Sequence, residues 1–134
     1  MAKKMPTAEC TRQFYRAAVQ RHAEARFLSE NSNYQLASIY LGGYAVECAL
    51  KAVLLANTLP KKHAETKATF RGGVARNFDW LRHQLRERGV NFPPEVLRHL
   101  NKVDWWRTDL RYSTGTFGIA FAEEFLTSAE KILD

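Results

Sequence analysis

The stretch YLGGYAVECALKAVLL, residues 40–55, decides the fold that this sequence predicts. At about 100° per residue, apolar side chains surround the segment on nearly every side, which is typical of a helix at the centre of a bundle. Its two charged residues, Glu47 and Lys51, share one narrow strip with the hydroxyls of Tyr40 and Tyr44. Because the surrounding surface is apolar, we expect Glu47 to be mostly buried and paired with a cation. The alternative is a weak i,i+4 ion pair on a partly exposed strip.

The opposite side of this helix carries small residues, namely Ser38, Gly42, Ala45, Ala49, Ala52 and Ala56. Small side chains allow another helix to approach closely. Such a contact would compensate for the Gly42-Gly43 pair, which costs about 1 kcal/mol per glycine relative to alanine. We expect that one small bundle does not fully cover this face, and the sequence therefore predicts a homodimer.

The remaining segments have helical periodicity, and none alternates like a strand. Helices are predicted over about 7–30, 34–57, 76–88 and 116–133, with a short helix starting in NFPPEVLRHL. Residues 58–75 are predicted to form a long basic connection, and residues 104–116 an irregular aromatic one. The fold class that follows is all-α, an up-and-down bundle of four longer helices plus one short helix, in a single domain spanning residues 1–134.

Composition limits the class of protein. Of the 134 residues, 46% are hydrophobic and 25% are charged, which is ordinary for a soluble globular domain. The net charge of +6 makes an acidic partner such as a nucleotide or nucleic acid a candidate. The charges of Glu47 and Lys51 argue against a membrane span. Because Cys10 and Cys48 form no CxxC and the start has no apolar signal segment, we expect a cytoplasmic protein.

Motifs for metal or cofactor chemistry do not occur in the sequence. The four histidines are dispersed, without HxxxH or HExxH, so no metal site is predicted. Neither GxxxxGK[ST] nor GxGxxG is present, and no cofactor is predicted. His83 lies on a helix between Leu81 and Leu85, where a lone histidine is more often a packing or capping residue than an acid–base group.

The segment WWRTDLRYSTG, residues 105–115, carries a second set of candidate residues. Its two tryptophans either pack inward or offer stacking faces for bases. We expect Arg111, or else Arg107, to pair with Glu47, because a planar guanidinium can bond both carboxylate oxygens whereas Lys51 can reach solvent. The predicted ligand-binding corner therefore comprises Tyr40, Tyr44, Glu47, Lys51, Arg107, Arg111 and Tyr112.

Three stretches, taken in chain order, resemble the HEPN family (higher eukaryotes and prokaryotes nucleotide-binding). YQLASIYLGGYAVECALKAVLL is similar to the family's second-helix signature, RHQLRERGVNFPPEV to the helix and turn that follow, and LRYSTG to the element before the last helix. The resemblance implies an all-α bundle that is frequently a homodimer. It also implies a link to toxin–antitoxin modules, in which a small nucleotidyltransferase is often the partner.

The resemblance also bears on catalysis, because many HEPN members are metal-independent ribonucleases with an Arg-x(4–6)-His motif. In the matching stretch, Tyr112 stands where the histidine is expected, and a ribonuclease needs a group that moves protons. Arg76 and His83 have a matching spacing, but they fall in the third predicted helix. We therefore predict a non-catalytic module that binds a nucleotide, RNA or a partner nucleotidyltransferase. The alternative is a ribonuclease toxin that uses Arg107 or Arg111 with Tyr112 or His83.

Overall fold

The computed structural model of the protein describes residues 9–30, 34–70, 77–103, 106 and 119–133. Within these ranges the chain forms α1 (Glu9–Ser29), α2 (Gln35–Ala56), α3 (His63–Ala68), α4 (Phe78–Glu87), α5 (Pro94–Val103) and α6 (Ile119–Leu133). A short 3-10 helix, Pro60–Lys62, precedes α3. The described ranges contain no strand, and the predicted all-α fold is confirmed.

Helix α2 lies at the centre of the bundle, as its all-round apolar surface predicts. It packs along α1 and also contacts α4 and α6, while α5 packs on α6. Its residues Ile39, Val46, Leu50 and Leu54 are buried in the main core. By length and composition alone α2 could cross a membrane, but 67% of its most apolar window is buried against the rest of the chain. Burial of that kind is what the core helix of a soluble protein also shows.

The glycines of α2 allow neighbouring groups to pack closely on the helix. This packing compensates for the low helix propensity of glycine. A Cβ atom added at Gly42 would stand 2.7 Å from Cδ2 of Leu126 on α6. A Cβ atom added at Gly43 would overlap the indole ring of Trp106. Gly43 therefore needs glycine, because any side chain would displace the indole ring, whereas at Gly42 the flexible end of Leu126 could move aside.

The small face of α2 is covered within one chain. Ser38, Gly42, Ala45, Ala49 and Ala52 are all buried, and the Ser38 hydroxyl donates to the Ala25 carbonyl of α1 at 2.8 Å. The expectation that one bundle does not cover this face is wrong for these five residues. Small side chains let α1 and α6 approach closely there, whereas Ala56 at the end of the face is exposed.

The connection after α2 is also more ordered than expected. Residues 58–75 were predicted as a long connection without regular structure, but the 3-10 turn and α3 occupy residues 60–68. Nε2 of His63 lies 2.9 Å from the Thr58 carbonyl, and Thr66 is buried. At the end of this segment the ring of Phe70 packs edge-on against Phe14 of α1, with 5.5 Å between ring centroids.

A glycine and a proline define the turn between α4 and α5. Gly89 has a φ of 77°, and the amides of Gly89 and Val90 donate to the Arg86 and Leu85 carbonyls, each at 3.0 Å. This pair of bonds is a Schellman motif, which a left-handed glycine permits. Pro94 is then the first residue of α5, where a missing amide hydrogen costs nothing.

Candidate functional site

The two charges of α2 form a buried ion pair. Glu47 is 4% exposed and Lys51 is 5% exposed, and Nζ of Lys51 donates to Oε2 of Glu47 at 2.7 Å. The predicted burial of Glu47 is therefore confirmed, and the alternative of a partly exposed pair is wrong. The expectation that Lys51 reaches solvent is wrong. Its ammonium group lies inside the chain, 5.1 Å from the centroid of the Phe70 ring. That ring covers the charge and interacts favourably with it.

One carboxylate oxygen of this pair has no hydrogen-bond donor among the described residues. Oε1 of Glu47 is buried and accepts no hydrogen bond from the residues that the structure describes. A buried acceptor without a donor costs about 1–3 kcal/mol, and more when it is charged. A donor placed beside this oxygen would therefore be strongly favoured. Arg111 and Arg107, the donors that the sequence suggests, lie outside the described residues, and their pairing with Glu47 stays a prediction.

Burial, more than the ion pair, determines the pKa of the neighbouring Cys48. Burial first, and then the negative charge of Glu47, raise the pKa of the Cys48 thiol from 9.0 to about 11. Since the thiolate is the reactive form of cysteine, this side chain stays protonated and inert at neutral pH. Cys48 is therefore excluded as a nucleophile.

An aromatic cluster forms the other end of the strip on α2. The hydroxyl of Tyr40 donates to that of Tyr44 at 2.9 Å, and the two rings meet edge to face. The ring of Trp106 lies 5.8 Å from that of Tyr40 and 5.7 Å from that of Tyr44. Trp106 also stacks on Phe78, and its Nε1 donates to the Ile39 carbonyl at 3.2 Å. Trp106 is thus a core residue and offers no stacking face to a base.

This cluster fixes where the chain enters the segment that carries the other predicted ligand-binding residues. Trp106 immediately precedes residues 107–112 and contacts both tyrosines of the strip. Arg107, Arg111 and Tyr112 lie outside the described residues. The structure therefore brings together Tyr40, Tyr44, Glu47 and Lys51 along one strip of α2, at a spacing of i, i+4, i+7 and i+11.

His83 does not join this strip. Its side chain is exposed on α4, where Nε2 lies 2.9 Å from Oε1 of Glu87. The residue faces solvent instead of packing in the core with Leu81 and Leu85, both of which are buried. Across the described ranges, no group of three or more His, Cys, Asp or Glu side chains is placed to hold a metal ion.

Sequence reasoning missed Phe70 as a part of the site. The sequence assigns it to a basic connection, but its ring covers the Lys51 ammonium. The signal was in the segment HAETKATF, residues 63–70. Its alanines, glutamate and lysine favour a helix, and the lone aromatic residue at its end is a candidate to pack on the bundle.

The fold and site define a small helical domain whose central helix carries a buried ion pair next to an aromatic cluster. Comparison with known proteins then identifies the family. The model of the HEPN domain family matches residues 11–134, and the chain belongs to that family. Its members are generally nucleotide-binding or ribonuclease-like. No curated protein and no solved structure matches the chain significantly.

Proposed function

We propose that this chain is a non-catalytic HEPN module that binds a nucleotide or RNA. The observation that carries the binding proposal is a hollow lined by two arginines, Arg82 and Arg86, at the turn between α4 and α5. The ion pair of α2 bears on the absence of catalysis. Glu47 and Lys51 are bonded to each other in the interior, so neither is free to move a proton on a substrate. The sequence adds that Tyr112 stands where the resemblance to the family's ribonucleases would require a histidine.

A hollow between the end of α4 and the start of α5 supports an anionic ligand. It has a volume of about 270 Å³ and is lined by Arg82, Arg86, Val90, Asn91, Phe92 and Leu97. Nη1 of Arg82 donates to Oδ1 of Asn101 at 3.2 Å, which orients the guanidinium group at the edge of the hollow. Guanidinium groups suit phosphates, and aromatic rings such as that of Phe92 can stack on bases. The net charge of +6 favours the same ligand class.

The setting that we propose follows from the family resemblance. The module would act in the cytoplasm as a homodimer, with a partner nucleotidyltransferase in a toxin–antitoxin-type system. The competing function is a ribonuclease toxin that uses Arg107 or Arg111 with Tyr112 or His83. His83 lies on the exposed face of α4 beside Glu87 and does not join the α2 strip, which favours the binding module.

Binding is tested with fluorescently labelled single-stranded RNA and with a labelled adenine nucleotide, by anisotropy at increasing salt. We expect binding that weakens with salt, with Arg82→Gln/Arg86→Gln lowering the salt slope by about one unit for each phosphate-binding side chain removed. Lys61→Gln/Lys67→Gln removes the same charge from exposed positions around α3 and is the matched control. If neither RNA nor nucleotide binds, the proposal fails. If the control variant weakens binding equally, the hollow has no specific role.

The absence of catalysis is tested separately. The purified chain is incubated with single-stranded RNA and tRNA in the presence of a chelator, and we expect no cleavage. Cleavage that disappears in Arg111→Ala or Tyr112→Phe would contradict the proposal and establish the ribonuclease. Cleavage that survives both substitutions would indicate a contaminating nuclease, which a further purification step removes.

A further inference from the structure

Two hollows of the protein meet at Phe92, on the turn between α4 and α5. The first is the hollow lined by Arg82 and Arg86, the arginine hollow, with a volume of about 270 Å³. The second has a volume of about 190 Å³. Phe92 lines both, so they lie no further apart than the width of one side chain. Together they reach the size of small-molecule sites, roughly 300–1,000 Å³, and they can hold one ligand that extends past Phe92.

The second hollow, which we call the apolar hollow, has no polar side chain in its lining among the described residues. Its lining comes from α2, from the turn before α5, from α5 and from the end of α6, and includes Leu50, Val53, Phe92, Pro93, Val96 and Ile132. The polar edge of a nucleotide base would lose its hydrogen bonds to water here without gaining a side-chain partner. An alkyl group has no such cost. A tail of about eight carbons matches the volume, since an apolar cavity of about 150 Å³ already holds the six carbons of benzene.

The arginine hollow supplies positive charge at the other side of Phe92. Arg86 is exposed, and its side chain forms no ion pair with another residue that the structure describes. The guanidinium group of Arg82, one turn earlier on α4, is oriented by its bond to Asn101. The nearby acid Glu87 contacts His83 on the exposed face of α4. Because guanidinium groups bind carboxylates and phosphate esters through charge-assisted hydrogen bonds, an anionic head group fits this hollow.

We propose that the two hollows together bind a single-chain amphiphile. Its carboxylate or phosphate head lies on Arg82 and Arg86, and its alkyl tail of about eight carbons fills the apolar hollow. The inference goes beyond the proposed function: the head shares the two arginines with the nucleotide or RNA, and would compete with it, but the tail uses a hollow that the proposed function does not need. The larger hollow of about 520 Å³ beside α1 is a poorer site for an anion, because its described lining includes Glu24 and no basic side chain.

The length of the tail gives a test that needs no variant. Butanoate, hexanoate, octanoate and decanoate are titrated into the full chain by isothermal titration calorimetry. Each methylene that enters the apolar hollow should raise the affinity about fourfold, and the rise should end at about eight carbons, when the hollow is full. Octanol, which carries no charge, should bind about tenfold or more weakly than octanoate. Octyl phosphate, compared with octanoate, shows which of the two head groups the arginines prefer.

The position of the tail is tested by filling the apolar hollow. Val96→Phe adds a ring to its lining and should lower the affinity for octanoate about tenfold or more, while RNA or nucleotide binding stays unchanged. Val53→Phe fills the same hollow from α2 and is the second variant. Val19→Phe makes the same change at an exposed position on α1 and is the matched control, which should leave the affinity for octanoate unchanged.

The position of the head group is tested by removing its charge partners. Arg82→Gln/Arg86→Gln should lower the affinity for octanoate to about that of octanol and leave the affinity for octanol unchanged. Lys61→Gln/Lys67→Gln removes the same charge from exposed positions around α3 and should change neither affinity.

Several results would overturn the proposal. Affinity that does not depend on tail length, or octanol that binds as tightly as octanoate, would remove one half of the site. Octanoate binding that survives in folded Val96→Phe and Val53→Phe would place the tail elsewhere. Binding that disappears in Phe27→Ala would place it in the hollow beside α1. A native chain that binds octanoate but neither RNA nor nucleotide would contradict the proposed function alone, so the two proposals fail separately.

Discussion

Two helices of this protein depart from the usual distribution of charged and apolar residues, and they do so in opposite ways. On α2, Glu47 and Lys51 are charged but buried, whereas on α1, Val19 and Phe27 are apolar but exposed. The charges of α2 are paired inside the chain, because they bond to each other and the ammonium group lies over the Phe70 ring, while Oε1 of Glu47 accepts no hydrogen bond from the described residues. The exposed apolar side chains of α1 have no such cover among the described residues. The unusual residues of α2 are therefore explained by an internal bond, whereas those of α1 face solvent in the described chain.

The largest expected effect comes from breaking the buried pair. Lys51→Ala leaves the Glu47 carboxylate buried without its cation, and we expect a loss of about 3–5 kcal/mol in the free energy of unfolding. Urea denaturation measures it. Arg21→Ala is the control, because Arg21 pairs with Glu24 on the partly exposed side of α1 at 2.6 Å. An exposed pair contributes about 0–1 kcal/mol, so equal losses in the two variants would contradict the burial of Lys51.

The second effect compares two alanines of α1 that are only two residues apart. Ala25 is fully buried against α2, and Ala23 is exposed. Ala25→Gln adds volume and a polar group to the core, and we expect a loss of at least about 2 kcal/mol. Ala23→Gln should change the stability of dilute protein by no more than about 0.5 kcal/mol. Thermal unfolding of both variants checks the order, and a reversed order would mean that α1 is rotated on α2.

The third effect concerns the glycines of α2. Helix propensity alone predicts that glycine to alanine stabilises a helix by about 1 kcal/mol. At Gly43 the added Cβ would overlap the rigid indole of Trp106, and we expect a net loss of about 1–3 kcal/mol from overpacking. Gly42→Ala should cost less, since its nearest neighbour is the flexible end of Leu126. A gain in stability from Gly43→Ala would show that Trp106 does not pack on this helix.

The smallest effect is a dependence of stability on pH through His99. Burial, followed by the charges of Lys102 and Arg98, lowers the pKa of His99 below its usual 6.5. Its folded-state pKa lies below the unfolded value, so its contribution is complete above about pH 6.5 and is lost as the pH falls toward the folded pKa. The free energy of unfolding, measured by urea denaturation at several pH values from neutral to mildly acidic, should therefore fall less with decreasing pH for His99→Gln than for the native chain. An equal fall in the two proteins would contradict the lowered pKa of His99.

The sequence was sufficient for features that depend on local pattern. The all-round apolar surface of residues 40–55 predicted a central helix, and the same surface predicted the burial of Glu47, because an apolar helix face packs against other apolar faces. The short helix predicted to start in NFPPEVLRHL is α5, which begins at Pro94. Each of these features is encoded within a few residues.

Features that depend on distant contacts could not be read from the sequence. Lys51 was expected to reach solvent, since its chain is flexible, but it is buried and donates to Glu47. Phe70 changes that outcome, and its position depends on α3 and on its contact with Phe14. The small face of α2 was likewise expected to bind a second copy. Its contacts with α1 and α6 arise only in the packed bundle, and the sequence pattern of α2 does not reveal them.

The measurement that tests the account most directly is a double-mutant cycle on Glu47 and Lys51. Glu47→Gln, Lys51→Met and the double variant are compared by urea denaturation. We predict that each single variant loses several kcal/mol, on the order of 3–5, and that the double variant loses much less than the sum, because the two side chains interact directly in the interior. Additive losses, or single variants as stable as the native chain, would contradict a closed ion pair at the centre of α2.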